Sequence, residues 1–437
     1  MSTLLQRVAY CLDAGAKVRF GKTLHLLLFK LSQGLGYFPS QRALDGLKKV
    51  RYLAAREMLL IGADTGRRTL SLSDIEGCLK TNASLFSEGQ KMSMLDYTCR
   101  NFVKAMVLFA VALVLLLGSA CSTNWLSRAD RIDFSAIKSP IILKGDAKTA
   151  YRDPACIYHN GVFRLFYTYN LTEDDGKAYW VTAFSKSRDL IHWTKPKIIT
   201  PKDRNLNFAS PGNVIRYGDE WILCLQTYPT PKGEKYGNEN CRVWIMRSRD
   251  LENWGPAELL RVKGPDVPVE KMGRLIDAYL VEDKDEPGKW WCFFDDNAAN
   301  MSCSYDLKTW TYFNRIEAGE NVCILVDGDE YLMFHSPKNG IGMKRSKDLK
   351  NWRDVGRETT KQSTGSITLG QKDWPWASQR LTAGFVLDLK DDPRVGKYLM
   401  FFHGEPPGGF SKYASLGLAW SDDLVHWDWP GKNAETH

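Results

Sequence analysis

The heptapeptide SRDLIHW at residues 187–193 decides the fold of this chain, because its pattern Ser-x-Asp-Leu-x-x-Trp occurs five times. The other copies are SRDLENW at 248–254, SYDLKTW at 304–310, SKDLKNW at 346–352 and SDDLVHW at 421–427. Successive copies begin 61, 56, 42 and 75 residues apart. Four fixed positions that recur five times indicate an internal structural repeat.

Each copy lies within a set of four strand-like runs. Three runs precede the first copy (ACIYHNG, VFRLFYT and YWVTAFS), and a fourth, KPKIIT, follows it. Such runs are rich in β-branched and aromatic residues and are bounded by Gly, Asp, Asn or Pro, which predicts strands. One four-stranded antiparallel meander buries little alone, so five must pack together. The sequence therefore predicts an all-β, five-bladed β-propeller.

The repeated Ser, Asp and Trp residues are predicted to be structural. Ser and Asp side chains bond to nearby backbone groups in turns, so the pair is expected between the third and fourth strands of each blade. The Trp is expected to pack between neighbouring blades. We therefore exclude these residues from the catalytic candidates.

Charge divides the chain into two regions. Residues 1–105 carry a net charge of +8, whereas residues 106–437 have a net charge of zero, and all 15 Trp follow residue 121. The second region thus lacks the excess positive charge of a nucleic-acid-binding domain, and we expect no nucleic-acid partner. The composition, 44% hydrophobic and 25% charged, excludes collagen-like, disulfide-scaffold and wholly disordered classes.

The boundary between these regions is a predicted targeting segment. The apolar run AMVLFAVALVLLLGSA at 105–120 follows Arg100 and Lys104 and is shorter than the roughly 20 residues of a bilayer span. Its end, GSAC at 118–121, resembles a bacterial lipobox, which implies lipidation of Cys121. We expect an exported protein: a periplasmic, outer-membrane or cell-surface lipoprotein, or a secreted one, with membrane contact only through its N-terminal anchor.

Four segments follow from these boundaries. Residues 1–104 are a basic, helical or irregular leader, which is either cytoplasmic or, as we favour, lies upstream of a translation start at Met92 or Met94. Residues 105–121 are the signal, residues 122–138 a linker, and residues 139–437 the propeller.

The first strands of the blades are expected to line the axis, so that their starting segments converge on one pocket. Three of these segments carry a carboxylate, which we place in the same register of the repeat: Asp153, Asp277 and Glu320. Acids at strand starts are also common turn residues. However, carboxylates that lie close together raise the pKa of one of them. Glycoside hydrolysis needs a protonated acid beside an ionised base, so these three are the predicted catalytic residues.

Further residues are predicted to contact substrate. His335 and His403 are assigned equivalent places after second strands, while Asp295 and Glu405 are interpreted as solvated hairpin residues. Trp374 or Trp376 would either stack on a sugar or pack the long connection before blade five. Arg152 would bind a carboxylated or sulfated sugar, or pair with Asp277. The full predicted substrate-binding set is Arg152, Asn213, His335, His403, Trp374, Trp376 and Arg380.

The cysteines give no sign of a metal site. Six follow Cys121, and none has the spacing of zinc ligands. Most lie inside apolar strands, where a free Cys acts as a small hydrophobe. Cys292 and Cys303, on neighbouring strands, are expected to pair only if their register agrees. No metal-binding residue is predicted.

Over residues 140–437 the chain resembles glycoside hydrolase family 43 and its five-bladed relatives. The resemblance rests on Asp-Pro in blade one, Ile-Asp in blade three and a Glu that opens blade four. It implies that Asp153 is the general base, that Asp277 tunes pKa and orients, and that Glu320 is the general acid. The sequence departs from the family at Val322 and Ala278, where Pro is usual or frequent.

The resemblance also implies an activity. It is inverting hydrolysis of oligo- or polysaccharide fragments from plants or algae, by an arabinofuranosidase, xylosidase or galactosidase. No cofactor is expected to be required, although relatives hold a structural Ca²⁺ on the axis. The alternatives are an anhydrogalactosidase-like enzyme with His335 as acid, a fructan-hydrolase-like enzyme, a phosphorylase, and a non-catalytic carbohydrate-binding propeller.

Overall fold

The repeated heptapeptide forms the turn between the third and fourth strands of every blade, which confirms the prediction. In the first copy the Oγ of Ser187 accepts a hydrogen bond from the backbone N–H of Leu190. Asp189 Oδ1 accepts from the backbone N–H groups of Ile191 and His192, and the Asp of each other copy does the same. The Leu is buried and left-handed in all five copies, with φ between 58° and 66°. That conformation costs a non-glycine residue roughly 1–2 kcal/mol, which the Ser and Asp bonds offset.

The computed structural model describes residues 131–410 and 412–432, which belong to the compact unit Arg128–His437. The predicted leader at 1–104 and the signal at 105–121, with Cys121, lie outside the described residues, as does the linker before residue 131. Within the described ranges, no helix is long and apolar enough to cross a membrane.

Twenty-two strands in the described residues form five antiparallel sheets, one per blade. In chain order they are β1 (Ile141–Leu143), β2 (Thr149–His159), β3 (Val162–Thr172), β4 (Ala178–Ser187), β5 (Lys197–Ile198), β6 (Phe208–Ala209), β7 (Val214–Tyr217), β8 (Glu220–Thr227), β9 (Arg242–Ser248), β10 (Glu258–Leu259), β11 (Ile276–Glu282), β12 (Trp290–Asp295), β13 (Ala299–Ser304), β14 (Thr311–Ile316), β15 (Glu320–Asp327), β16 (Glu330–Ser336), β17 (Gly342–Ser346), β18 (Arg353–Asp354), β19 (Arg380–Leu389), β20 (Lys397–Glu405), β21 (Ser415–Ser421) and β22 (Trp427–Asp428). Blade one is β2–β5, blade two β6–β10, blade three β11–β14, blade four β15–β18 and blade five β19–β22. Short 3₁₀ helices lie at Phe134–Ala136, Val269–Lys271, Gln371–Asp373 and Pro375–Ala377.

The strand β1 closes the ring, a feature that the sequence analysis missed. It precedes blade one in the chain but pairs with β21 of blade five, placing Ile141 opposite Gly417 and Leu143 opposite Leu416. The last strand, β22, pairs with the other end of β21. Blade five is therefore completed by segments from both ends of the propeller, which joins its first and last blades.

The repeated Trp residues pack between blades, as predicted. Three of the five lie edge-to-face with a Phe on the second strand of the preceding blade: Trp193 with Phe401, Trp254 with Phe166, and Trp427 with Phe334. The ring centroids are 6.4, 5.5 and 6.3 Å apart. Such aromatic pairs contribute about 0.5–1.5 kcal/mol beyond the area they bury.

The cysteines of the propeller are all free. Cys292 lies opposite Ser302 and Cys303 lies opposite Trp291, so the two cysteines are out of register. The conditional pairing of Cys292 with Cys303 therefore does not form.

The turn aspartates predict an acid-sensitive fold. Asp306 accepts hydrogen bonds from the backbone N–H groups of Thr309 and Lys308, and these bonds, with that from Thr309 having the larger effect, lower the pKa of Asp306 to about 2. Because an unfolded Asp titrates near 3.9, its charge stabilises the fold above about pH 4, and this contribution is lost as the pH falls towards 2. Urea unfolding between pH 2 and 7 should show this loss, and Asp306→Asn should flatten it. An unchanged pH slope in the variant would contradict this assignment.

Candidate active site

All five blades have an irregular pairing where their first strand meets the axis, and in four of them it is a one-residue β-bulge. In blade one, for example, Arg152 lies opposite Thr168 but Ala155 lies opposite Phe166. The same shift occurs in blades three, four and five. In blade two the shift is two residues, because Ala209 lies opposite Gln226 and Val214 lies opposite Leu223. The bulged residue is non-glycine with positive φ in every case: Asp153 (49°), Ser210 (38°), Asp277 (53°), Asn321 (51°) and Ala383 (52°). These residues surround an axial cavity of about 20 Å³, room for one water molecule.

This alignment corrects the predicted register of Glu320. Asn321 is the bulged residue of blade four, whereas Glu320 precedes it and corresponds to Arg152 and Ile276. Asp153 and Asp277 are equivalent, as predicted. The three carboxylates therefore do not share one register, although Glu320 still opens β15 at the pocket end of blade four.

Four blades support the left-handed residue of the next blade. A side chain at the end of a second strand accepts a hydrogen bond from the bulged backbone N–H in four places: His403 from Asp153, Thr168 from Ser210, Gln226 from Asp277, and Ser336 from Ala383. The donor–acceptor distances are 3.0, 2.7, 2.5 and 2.7 Å. The left-handed backbone at the axis is thus held by contacts between blades.

Asp153 is fixed at both its backbone and its carboxylate. Thr168 Oγ1 donates to Asp153 Oδ2 over 2.9 Å, while the Asp153 N–H donates to Nδ1 of His403. An accepting Nδ1 leaves the ring proton on Nε2, which lies 3.2 Å from Glu405 Oε1. Glu405 in turn pairs with Arg152 at 2.9 Å. A buried chain from Arg152 through Glu405 and His403 therefore positions Asp153.

The ionisation of this chain is set by its surroundings. Burial lowers the pKa of His403, so the ring is neutral near pH 7. Burial alone would raise the pKa of Glu405, but Arg152 and His403 lower it to about 2. Glu405, interpreted from the sequence as solvated, is buried. Arg152 pairs with Glu405, whereas the sequence analysis offered Asp277 as its partner.

Asp277 is the carboxyl group whose pKa rises. Burial is the main cause, and the neighbouring charges of Glu320 and Asp153 add to it. This is the effect expected from carboxylates gathered at one axis. Asp277 therefore keeps its proton at pH values where an ordinary Asp is ionised.

Glu320 is held by a single strong partner. Arg380 Nη2 lies 2.6 Å from its Oε1, and both side chains are about three-quarters buried. Arg380, a predicted substrate-binding residue, thus contacts the predicted acid.

Asp295 is a site residue that the sequence analysis assigned wrongly. It was expected to be solvated, but it is only 2% exposed and lies 3.0 Å from Lys361 and 3.9 Å from Arg274. Burial raises its pKa, and Lys361 opposes that rise. Asp295 ends β12 at the position that His403 and Ser336 occupy in their own blades. An acidic residue that ends a strand buried on both faces is the signal that could have identified it.

Two predicted substrate contacts lie away from the pocket. The Asn213 amide bridges the backbone of Leu280, donating to its C=O over 2.7 Å and accepting from its N–H over 3.0 Å. His335 is fully buried between the N–H of Gly319 and the hydroxyl of Thr359. Burial lowers the His335 pKa to about 3. Ser336, not His335, is the equivalent of His403, so the predicted equivalence is wrong.

The two Trp residues before blade five pack the connection. Trp374 is buried and stacks on Trp376 at 5.3 Å and on Phe402 at 5.9 Å. Trp376 is partly buried and lies against the backbone of Gly404. Of the two alternatives for these residues, the structure favours packing.

No group of three or more His, Cys, Asp or Glu side chains in residues 131–410 and 412–432 is arranged to hold a metal ion.

Replacing His403 by Phe removes the ring nitrogen that accepts from the Asp153 N–H, and it is expected to slow turnover. His403→Phe would leave the buried Asp153 N–H unpaired, at a cost of about 1–3 kcal/mol in stability. It would also release the backbone of Asp153. We expect kcat to fall more than KM changes, measured alongside thermal unfolding. A variant that loses stability while kcat is unchanged would show that His403 is only structural.

Comparison with known proteins agrees with this architecture. Residues 147–326 match the family model described as the glycosyl hydrolases family 32 N-terminal domain. This segment contains Asp153, Asp277 and Glu320. A search of curated proteins found no match.

Solved structures resemble this chain at low sequence identity. They include the catalytic domain of the Coprinopsis cinerea GH62 alpha-L-arabinofuranosidase (12% identity, 66% of this chain and 98% of that chain, TM-score 0.46). A thermostable family-43 glycoside hydrolase matches at 12% identity (68% of this chain, 96% of that chain, TM-score 0.48). An alpha-L-arabinofuranosidase from Podospora anserina in complex with cellotriose matches at 12% identity (66% and 97%, TM-score 0.46). The matching family model describes a five-bladed glycosidase domain, which agrees with the predicted resemblance to family 43 and its five-bladed relatives, and the chain is a five-bladed propeller of the glycoside hydrolase type.

Proposed function

We propose that this protein hydrolyses glycosidic bonds at the axial end of its blades, on the face where the second strands end, by a single displacement with inversion. The observation that carries the proposal is the group of Asp153, Asp277 and Glu320 at one axis, where burial and the two neighbouring carboxylates raise the pKa of Asp277. The match to a glycosyl hydrolase domain over all three residues supports it.

The roles follow from the contacts of each group. Asp153, oriented by Thr168 and the His403 chain, would take a proton from the water that attacks the anomeric carbon. Glu320, which pairs with Arg380, would take up a proton from solvent as the substrate binds and give it to the leaving oxygen as the glycosidic bond breaks on the opposite face. Such a pair works when the two carboxyl groups are about 6.5–9.5 Å apart. Asp277, which keeps its own proton, adds no third negative charge to the site.

The charge balance of the pocket favours a neutral sugar. Arg152 pairs with Glu405, Arg380 with Glu320, and both Lys361 and Arg274 with Asp295. A carboxylated or sulfated sugar would have to displace one of these partners. Arabino-, xylo- and galacto-oligosaccharides from plant or algal polysaccharides are therefore the first substrates to test.

Export is part of the same proposal. A protein that degrades extracellular polysaccharide fragments needs access to them, and the segment at 105–121 has the composition of an export signal with Cys121 as its lipidation site. Mass spectrometry of the mature N-terminus would test the cleavage site and the lipid together.

The fructan-hydrolase-like alternative should be tested beside the neutral pentose and hexose substrates. The experiment is a panel of aryl glycosides and oligosaccharides, including fructo-oligosaccharides, incubated with the full chain and with Asp153→Asn. Turnover of at least one substrate by the wild type only is the expected result. Binding without turnover by either protein would favour a carbohydrate-binding propeller.

A further inference from the structure

Two aromatic side chains form a partly exposed surface beside the pocket, which we call the rim platform: Tyr236 and Phe410. Tyr236, in the connection between β8 and β9, is 58% exposed, and its ring lies edge-on to Phe410 with centroids 5.5 Å apart. Phe410 belongs to the connection between β20 and β21. Both connections lie on the face where second strands end, which is the face of the pocket.

The rim platform is supported from below. Phe410 packs on Trp180 at 5.6 Å, and Trp180 stacks almost flat on Tyr228 at 4.9 Å with an angle of 8° between the rings. Trp180 and Tyr228 are both buried. The platform is therefore fixed before any ligand arrives, which reduces the entropy lost on binding.

The rim platform is joined directly to the catalytic candidates. The Arg152 guanidinium lies 4.4 Å from the centroid of Phe410 and donates to the Phe410 carbonyl over 3.3 Å. The same guanidinium pairs with Glu405, and Arg152 immediately precedes Asp153 in β2. One aromatic ring thus separates Tyr236 from the charged chain that positions the proposed base.

Single exposed aromatic residues are common on protein surfaces and need no function. Tyr305 is such a case, being 62% exposed within the turn motif of blade three, on the face opposite the pocket. Tyr236 differs because it contacts a second aromatic ring and adjoins the pocket. Tyr305 is therefore a matched control for it.

We propose that the rim platform binds a second sugar residue of the substrate, next to the one whose bond is cleaved. The C–H face of a neutral sugar ring would stack on the exposed ring of Tyr236, which Phe410 supports edge-on, because an aromatic face with a polar edge suits a ligand that is apolar on one side and wet on the other. This inference rests on the proposed function. It assigns the protein to oligosaccharides and not to single terminal sugars on small aglycones.

The test measures binding and turnover of the full chain. In the Asp153→Asn background, calorimetry with the best-bound neutral oligosaccharide of the panel should show binding at least about tenfold weaker for Tyr236→Ala than for the parent. Phe410→Ala should weaken it similarly, and Tyr305→Ala should not change it. In active protein, Tyr236→Ala should reduce kcat/KM at least about tenfold more for the oligosaccharide than for the matching aryl monoglycoside.

Three outcomes would overturn the rim platform: equal affinity of Tyr236→Ala and its parent, equal losses for long and short substrates, or an equal effect of Tyr305→Ala. An oligosaccharide that no variant binds would also overturn it. Failure of the proposed function looks different, because a wild type that binds oligosaccharides through Tyr236 without cleaving them would support the platform and refute hydrolysis.

Discussion

Asp153→Asn is expected to reduce kcat by a factor of about 10²–10⁴ while the protein still folds. Asn retains the shape of the side chain and can still accept from Thr168, so the bulge at residue 153 should persist. It cannot take a proton from the attacking water. Initial rates on the best substrate of the panel, with circular dichroism and thermal unfolding, give the comparison.

The control for this prediction is Asp175→Asn. Asp175 lies in blade one between β3 and β4 and is exposed, with Lys177 as its partner. It should keep wild-type kcat. A folded Asp153→Asn protein with more than about a tenth of wild-type kcat would remove Asp153 from the role of base.

Glu320→Gln is expected to lose about 10²-fold or more of its activity on substrates with poor leaving groups. Activated aryl glycosides depend less on protonation of the leaving oxygen, so their hydrolysis should be reduced much less. The measurement is the dependence of kcat on the pKa of the leaving phenol, which should become steeper in the variant.

Uniform loss across all leaving groups would contradict the role of Glu320 as acid, since it would indicate a defect in binding or folding. Full activity would move the role to another carboxyl group of the pocket, such as Glu405 or Asp295. His335 is a poor substitute, because burial holds its pKa near 3 and both of its ring nitrogens have partners.

The propeller could be predicted because its signals are local and repeated. The Ser-x-Asp-Leu-x-x-Trp turn needs only the bonds of one Ser and one Asp to nearby N–H groups, so it is visible in seven residues. The closing strand β1 was missed because three residues, 141–143, carry no pattern of their own. Their partner, β21, lies almost 300 residues later in the sequence.

The site was predicted less completely, for a physical reason. A bulge inserts one residue without any mark in the sequence, so Glu320 was aligned where Asn321 belongs, and His335 where Ser336 belongs. The buried partners Asp295 and Glu405 end their strands, where an acidic residue usually indicates a solvated turn. Their burial is explained by the cations that neutralise them, which are Lys361 and Arg274 for Asp295 and Arg152 for Glu405.

The stereochemistry of the first product tests the pairing of Asp153 as base with Glu320 as acid most directly. Proton NMR during the first minutes of hydrolysis, before the free sugar mutarotates, identifies the anomer that is released. A single displacement by water predicts the inverted anomer. Release of the retained anomer would require a covalent intermediate, with Asp153 as nucleophile, and would contradict the proposed mechanism.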